Sequence, residues 1–277
     1  MKLMILDGNS IINRAFYGVR LLSTKDGVYT NAIYGFLNIL ERLRADEQPD
    51  ALCVAFDLKA PTFRHLAYDG YKATRHPMPE ELAMQMPLMK EVLGAMNIPI
   101  YECEGWEADD ILGTAGEICA REGEDCVIVT GDRDSLQLVT DRVTVKLVTS
   151  KSGQTITTNY TPDVFHAEYG FDPVRLVDLK SLMGDSSDNI PGVAGIGPKT
   201  ATSLLLEYGT LDGIYEHLPE IKESVRKKLE KDREQAYLSY DLATIRKNAP
   251  VDFIPERNLV REVDNDALYA LFHRLEF

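Results

Sequence analysis

A chain of 277 residues, 44% hydrophobic and 27% charged, is long and apolar enough to bury a core, as one large or two modest domains. Its net charge of −14 argues at first against a nucleic-acid partner, because affinity for phosphate comes largely from Lys and Arg. The opening apolar run, Leu3–Leu6, ends at Asp7 and is too short for a signal peptide or a membrane span, so a cytoplasmic protein without a membrane partner is expected.

In chain order, strand-like runs occur at 2–6 (KLMIL), 51–56 (ALCVAF), 98–101 (IPIY), 126–130 (CVIVT) and 143–148 (VTVKLV). Amphipathic segments with helical spacing lie between them at 31–45, 79–96 and 107–122. This alternation predicts an α/β fold with a mostly parallel central sheet flanked by helices. Past about residue 160 the strand signal fades into helical pieces at 161–169, 173–183, 198–208, 210–217, 221–231 and 233–246. The expected division is an α/β core over 1–172 and a helical region over 173–277 that ends in a tail. Cys53, Cys103, Cys119 and Cys126 form no C-x-x-C pair and sit in or beside apolar runs, which predicts buried free thiols and no zinc site.

The acids are not scattered. Three strand-like runs end on carboxylates: Asp7, Asp57, and the pair Asp132 and Asp134. In open α/β sheets the ligand crevice lies beyond the carboxyl ends of the strands, so these ends predict one shared acidic crevice. Any one of them alone could as well be an ordinary helix cap. Glu107, Asp109 and Asp110 stand at the expected start of a helix, where the dipole also favours acids. Asp185 and Asp188 follow in GDSSDN. Nine carboxylates without His or Cys partners suit hard cations, Mg²⁺ or Mn²⁺. Two such ions about 3.5–4 Å apart would clamp the attacking and leaving oxygens of a phosphoryl displacement.

The glycine-rich run that ends in Lys199-Thr200 is not a nucleotide P-loop. That loop needs Gly immediately before the Lys, whereas Pro198 stands here without an N–H, and no strand-like run leads in. Gly195-Ile196-Gly197-Pro198 reads instead as a tight turn into a helix, with Pro198 in the first turn. Such a turn lets a phosphate approach backbone N–H groups closely.

The segments LDGNSIINRAF, VAFDLKAPTFRH, YKATRHPMP, EGWEADDILG, VTGDRDSLQLV and LMGDSSDNIPGVAGIGPKTA, in that order, closely resemble the bacterial 5′-nuclease family. This family includes the 5′→3′ exonuclease domain of DNA polymerase I and its flap-endonuclease relatives, and the resemblance spans essentially the whole chain. It implies a structure-specific, divalent-metal-dependent phosphodiester hydrolase of DNA, acting in replication and repair and leaving 5′-phosphate and 3′-hydroxyl ends. Asp7, Asp57, Glu107, Asp109, Asp110, Asp132 and Asp134 are then expected at the first metal site and part of the second, with Asp185 and Asp188 completing the second.

By the same resemblance the basic stretch 58–76 belongs to a helical gateway spanning roughly 58–96, in which Lys72 and Arg75 contact the scissile phosphate. Arg64 is expected to contact DNA, and Tyr71 either to stack on a terminal base or to pack. Arg14 and Phe16 are weaker candidates for the displaced strand or duplex. Gly195, Gly197, Lys199 and Thr200 fall on a helix-hairpin-helix near 184–208 that grips duplex phosphates, in relatives with a K⁺ ion. The implied partners are duplex DNA with a 5′ end or 5′ flap and a polymerase domain linked after LYALFHRLEF, in a monomeric, nucleoid-associated bacterial protein; a free-standing nuclease is the alternative. A haloacid-dehalogenase-type phosphatase is set aside because Asn9 stands where a second Asp would be required. A non-catalytic DNA-junction clamp would use the hairpin alone and leaves the acids unexplained.

Overall fold

A computed structural model describes residues 1–277. Six strands form one sheet in the order β3-β2-β1-β4-β5-β6. They are β1 (Lys2–Asp7), β2 (Ala51–Ala55), β3 (Ile100–Tyr101), β4 (Asp125–Thr130), β5 (Val143–Lys151) and β6 (Gln154–Tyr160). The first five run parallel and β6 is antiparallel to β5. Side chains alternate between the faces of a strand, and β1 divides accordingly: Leu3 and Ile5 enter one apolar cluster, Met4 and Leu6 another. A strand buried on both faces reads as a continuous apolar run, which is why the parallel strands were visible in the sequence.

On the Met4 face lie α1 (Gly8–Gly18), α2 (Asn31–Glu47), and, after the small α3 (Phe63–Ala67) and α4 (Glu80–Ala83), α5 (Gln85–Ala95). The Leu3 face is covered by α6 (Ala108–Arg121) and by a carboxyl-terminal helical array. That array comprises α7 (Pro162–Tyr169), α8 (Leu176–Met183), α9 (Pro198–Tyr208), α10 (Leu211–Glu216), α11 (Glu223–Lys231) and α12 (Arg233–Ala243). After α12 the chain returns along β2, where Val260 N–H donates to the Asp50 carbonyl at 2.9 Å, and ends in α13 (Asn265–Arg274) beside α5. No helix is long and apolar enough to cross a membrane.

The helices α1 and α13 lie outside the helical segments expected from the sequence, and two further elements differ from that expectation. The edge strand β6 (QTITTNY) offers few apolar residues, being half exposed; its signal was the Ser152-Gly153 turn, both residues at positive φ, before a β-branched run. The expected helical gateway carries no helix at Lys72 or Arg75. Turns occupy 69–74, Lys72 takes φ 55, and an extended stretch with Pro77 and Pro79 leads to α4. Gly70 and those prolines interrupt helical hydrogen bonding on both sides. Of the cysteines, Cys53, Cys119 and Cys126 are buried as free thiols, whereas Cys103 is half-buried.

Candidate metal centre and DNA-facing surface

The strand order reverses between β1 and β4, and the acids gather at the carboxyl ends on either side of that switch point. Asp7 closes β1; one of its oxygens accepts Ser10 N–H at 3.2 Å and the other the Thr130 hydroxyl at 2.9 Å. Gly131 N–H in turn donates to Ser10 Oγ at 2.7 Å, fastening the end of β4 to α1. Asp132 accepts Asp134 N–H at 2.9 Å, and Asp57 accepts Ala108 N–H at 2.6 Å, tying the end of β2 to the start of α6. Burial, then the charges of Asp57 and Asp132, push the Asp7 carboxyl up to about 7. Asp109 rises well above the carboxylate range through burial and the charges of Asp132 and Asp7.

A second group is tighter. Asp134, Asp185 and Asp188 each offer an oxygen within 4.8 Å of the others. Asp185 is set by paired backbone hydrogen bonds with Ile190 at 2.9 and 2.8 Å and accepts Ser187 N–H at 2.9 Å. Lys180 of α8 reaches between Asp134 and Asp185, 2.7 Å from the latter. Burial, then Asp132, raises Asp134 to about 7 despite that lysine. Carboxylates forced to hold protons near neutrality are a donor set that a divalent cation would satisfy, and an all-oxygen set suits Mg²⁺ or Mn²⁺. Lys180 was missed in the sequence; its only signal was a lone lysine in the apolar run LVDLKSLM.

Glu107 caps α6 and lies among basic and phenolic partners. Lys72 and Arg64 bind it, and the Tyr71 hydroxyl lies 3.0 Å from both oxygens. Burial alone would raise the Glu107 carboxyl; Lys72 and Arg64 outweigh it and hold the group below its ordinary value. Arg75 pairs with Asp188. Lys72 and Arg75 therefore face the acids, Lys72 at Glu107 and Arg75 at Asp188.

Two expectations are corrected here, for Arg64 and Asp110, and the alternative left open for Tyr71 falls to packing. Arg64 is 3% exposed and faces the protein interior, so it is not a surface contact for DNA. Asp110 is fully buried and both its oxygens are engaged by Arg64 and by backbone N–H groups of Glu107 and Arg246, so it supports the site without lining it. Tyr71 is 5% exposed and packs against Val177, Ile190 and Leu242, leaving no ring face for a base.

A cleft of about 820 Å³ opens beside the acids, lined among others by Arg14, Tyr17, Arg75, Asp132, Lys180 and Asp185. Arg14 reaches it from α1 and donates to Ser150 Oγ at 2.9 Å. Phe16 is half-buried against the Met4-face core, so the exposed aromatic of that helix is its neighbour Tyr17. The glycine-rich turn leads into α9 with Gly197 as cap and Pro198 at the first position. Lys199 is exposed there and Thr200 half-buried, while Lys228 donates to the Gly195 carbonyl at 3.1 Å.

Two adjoining family descriptions cover this architecture: the 5′-3′ exonuclease N-terminal resolvase-like domain over residues 2–170 and the 5′-3′ exonuclease C-terminal SAM fold over 171–266. The chain belongs to the 5′-3′ exonuclease family. It is 45% identical over its whole length to DNA polymerase I of Caldicellulosiruptor bescii and 41% identical to that of Bacillus subtilis. The exonuclease chain spans about a third of these relatives, 33% and 31% of their lengths. In fold it resembles T5 5′-exonuclease with bound zinc ions, at TM-score 0.72 and 22% identity, covering 88% of this chain and 89% of that one. The catalytic core of Rad2 in complex with DNA substrate shares the fold at TM-score 0.65 and 19% identity, covering 99% and 87%.

Proposed function

We propose that this 5′-3′ exonuclease chain is a structure-specific nuclease that hydrolyses DNA at or near a 5′ end or the base of a 5′ flap. The observation that carries the reading is the convergence of Asp134, Asp185 and Asp188 within 4.8 Å, beside strand ends bearing Asp7, Asp57 and Asp132. Asp7, Asp57, Glu107, Asp109 and Asp132 would hold one divalent cation, Asp134, Asp185 and Asp188 a second, with Mg²⁺ or Mn²⁺ the natural choices. When bound, the pair supplies water activation and charge neutralisation at the phosphodiester.

The chain's own residues do the rest. Lys72 and Arg75 take up the scissile phosphate and balance the charge that grows on it in the transition state. Arg14 and the exposed ring of Tyr17 line the entrance for the strand being cut. The Gly195–Thr200 turn, with Gly195, Gly197, Lys199 and Thr200, holds duplex phosphates without reading sequence, and its carbonyls could share a monovalent cation such as K⁺ with a phosphate. Residues 1–172 thus provide most of the cutting site and 173–277 the duplex grip. The identity with DNA polymerase I over about a third of that protein supports a linked polymerase domain and a role in replication and repair.

Cleavage of a 5′-flap duplex, with Mg²⁺ and with EDTA, tests this. Cutting in Mg²⁺ and binding without cutting in EDTA are expected. Binding with intact DNA in both would leave a non-catalytic junction clamp.

A further inference from the structure

The guanidinium of Arg64 has five N–H donors, and all are used inside the protein. Nε donates to the Leu242 carbonyl at 3.0 Å, and Nη2 to the Thr244 carbonyl at 2.6 Å. Nη1 and Nη2 form a fork on Asp110, 2.8 Å each, and Nη1 also binds Glu107. None is left for a phosphate. Asp110 is saturated in turn, accepting Arg64 twice, Glu107 N–H at 3.1 Å and Arg246 N–H at 2.9 Å.

The carbonyls that Arg64 holds belong to the segment by which the chain leaves α12. Gln137 fastens the same segment from the other side, accepting Ile245 N–H at 2.9 Å and donating to the Ala243 carbonyl at 3.0 Å. Arg246 closes it outside, its guanidinium 3.8 Å above the ring of Phe63, the residue before Arg64. At its other end this strap continues into α12, which packs against α8, the helix that carries Lys180. One buried, fully satisfied polar network therefore runs from the helical array to one oxygen of Glu107.

We infer that Arg64 is a positioning residue that locks the Glu107 carboxylate to the Leu242–Arg246 strap, coupling the seating of the helical array to the geometry of the metal centre. The inference rests on the reading of Glu107 as a member of that centre. Partners of metal-ligating carboxylates, when removed, commonly cost tenfold or more in metal affinity or activity. Replacing a surface arginine that touched DNA phosphates would instead weaken binding at every metal concentration.

The test compares Arg64→Lys and Arg64→Gln with the wild-type chain in three measurements. The Mg²⁺ concentration for half-maximal cleavage of a 5′-flap duplex should rise about tenfold or more, while affinity for that duplex in EDTA stays within about twofold. The rise in Tm that Mg²⁺ produces without DNA should shrink, less in Arg64→Lys than in Arg64→Gln. Affinity in EDTA falling in step with the rate, at an unmoved Mg²⁺ midpoint, overturns the inference and makes Arg64 a DNA-binding residue; wild-type behaviour throughout also overturns it. Should neither variant fold, amide exchange in the wild-type chain decides, since Mg²⁺ should slow exchange at Ile245 and Arg246, and unchanged exchange there overturns the coupling. A wild-type chain that fails to cleave in Mg²⁺ defeats the nuclease reading instead, and the Tm and exchange measurements still judge Arg64.

Discussion

The backbone N–H of Lys72 donates to the carbonyl of Asp188 at 2.8 Å, so the basic turn hangs from the loop that carries two of the acids. Asn189 repeats the link, its side-chain amide donating to the Gly70 carbonyl at 2.8 Å. Lys72 and Asn189 both take φ 55, a left-handed conformation that asparagine tolerates better than most residues. The basic side chains of that turn and the carboxylates of that loop are thus held in register.

That staple can be cut. Asn189→Gly keeps the backbone conformation and removes the bond to Gly70, which should cost about 1 kcal/mol in urea unfolding. Asn189→Ala should cost about 1 kcal/mol more, from the left-handed strain. Both should slow single-turnover flap cleavage about tenfold with little change in duplex affinity, a misplacement effect. Wild-type cleavage by both would mean the turn finds its place without the staple.

Lys72 is half-buried and its ammonium rests on Glu107. Lys72→Ala should lower turnover about a hundredfold or more while duplex affinity in EDTA changes only a few-fold. Equal losses in rate and affinity would reduce Lys72 to a general phosphate contact.

Cation binding should depend on pH in a definite direction. Asp7 and Asp134 titrate near 7 in the folded chain, above an ordinary value of 3.8. Between about pH 4 and 7 the folded chain therefore holds protons that the unfolded chain has released, and the cation-free protein loses stability as pH rises through that window. Mg²⁺ removes the repulsion that the protons relieve. The Mg²⁺-induced rise in Tm should be small at pH 5 and large at pH 8. An equal rise at both would show that the cation binds elsewhere.

The glycine-rich segment proposed to hold duplex DNA offers a contrast between two glycines. A Cβ at Gly192 would sit 2.3 Å from the Gly184 nitrogen, at φ 62, so Gly192→Ala should cost about 2–4 kcal/mol of stability. A Cβ at Gly197 meets nothing within 4 Å, and its φ of −95 suits any residue, so Gly197→Ala should leave Tm unchanged. It should still weaken duplex binding, because the methyl stands where a phosphate would approach the start of α9. Unchanged binding would move the grip away from this turn.

The sequence alone was enough for the parallel sheet, the acids at its strand ends and the turn into α9. Each is local: a strand buried on both faces is continuously apolar, a carboxylate at a strand end is adjacent in sequence, and Pro198 without an N–H excludes a P-loop wherever the chain goes. Its limits lay where identity is common and surroundings decide. Arg64, Lys72 and Arg75 read alike as basic residues of one stretch, yet one is walled in by Asp110 and the Leu242–Arg246 strap, nearly 180 residues away, while the others face the acids. Asp109 and Asp110 are neighbours, and only the turn of α6 sends one toward Asp132 and the other toward Arg64. Lys180 gained its meaning only when α8 laid it between Asp134 and Asp185. Which carboxylate is free to take a cation, and which cation is free to take a phosphate, depends on the partners that long-range packing supplies, and tertiary structure alone decides that.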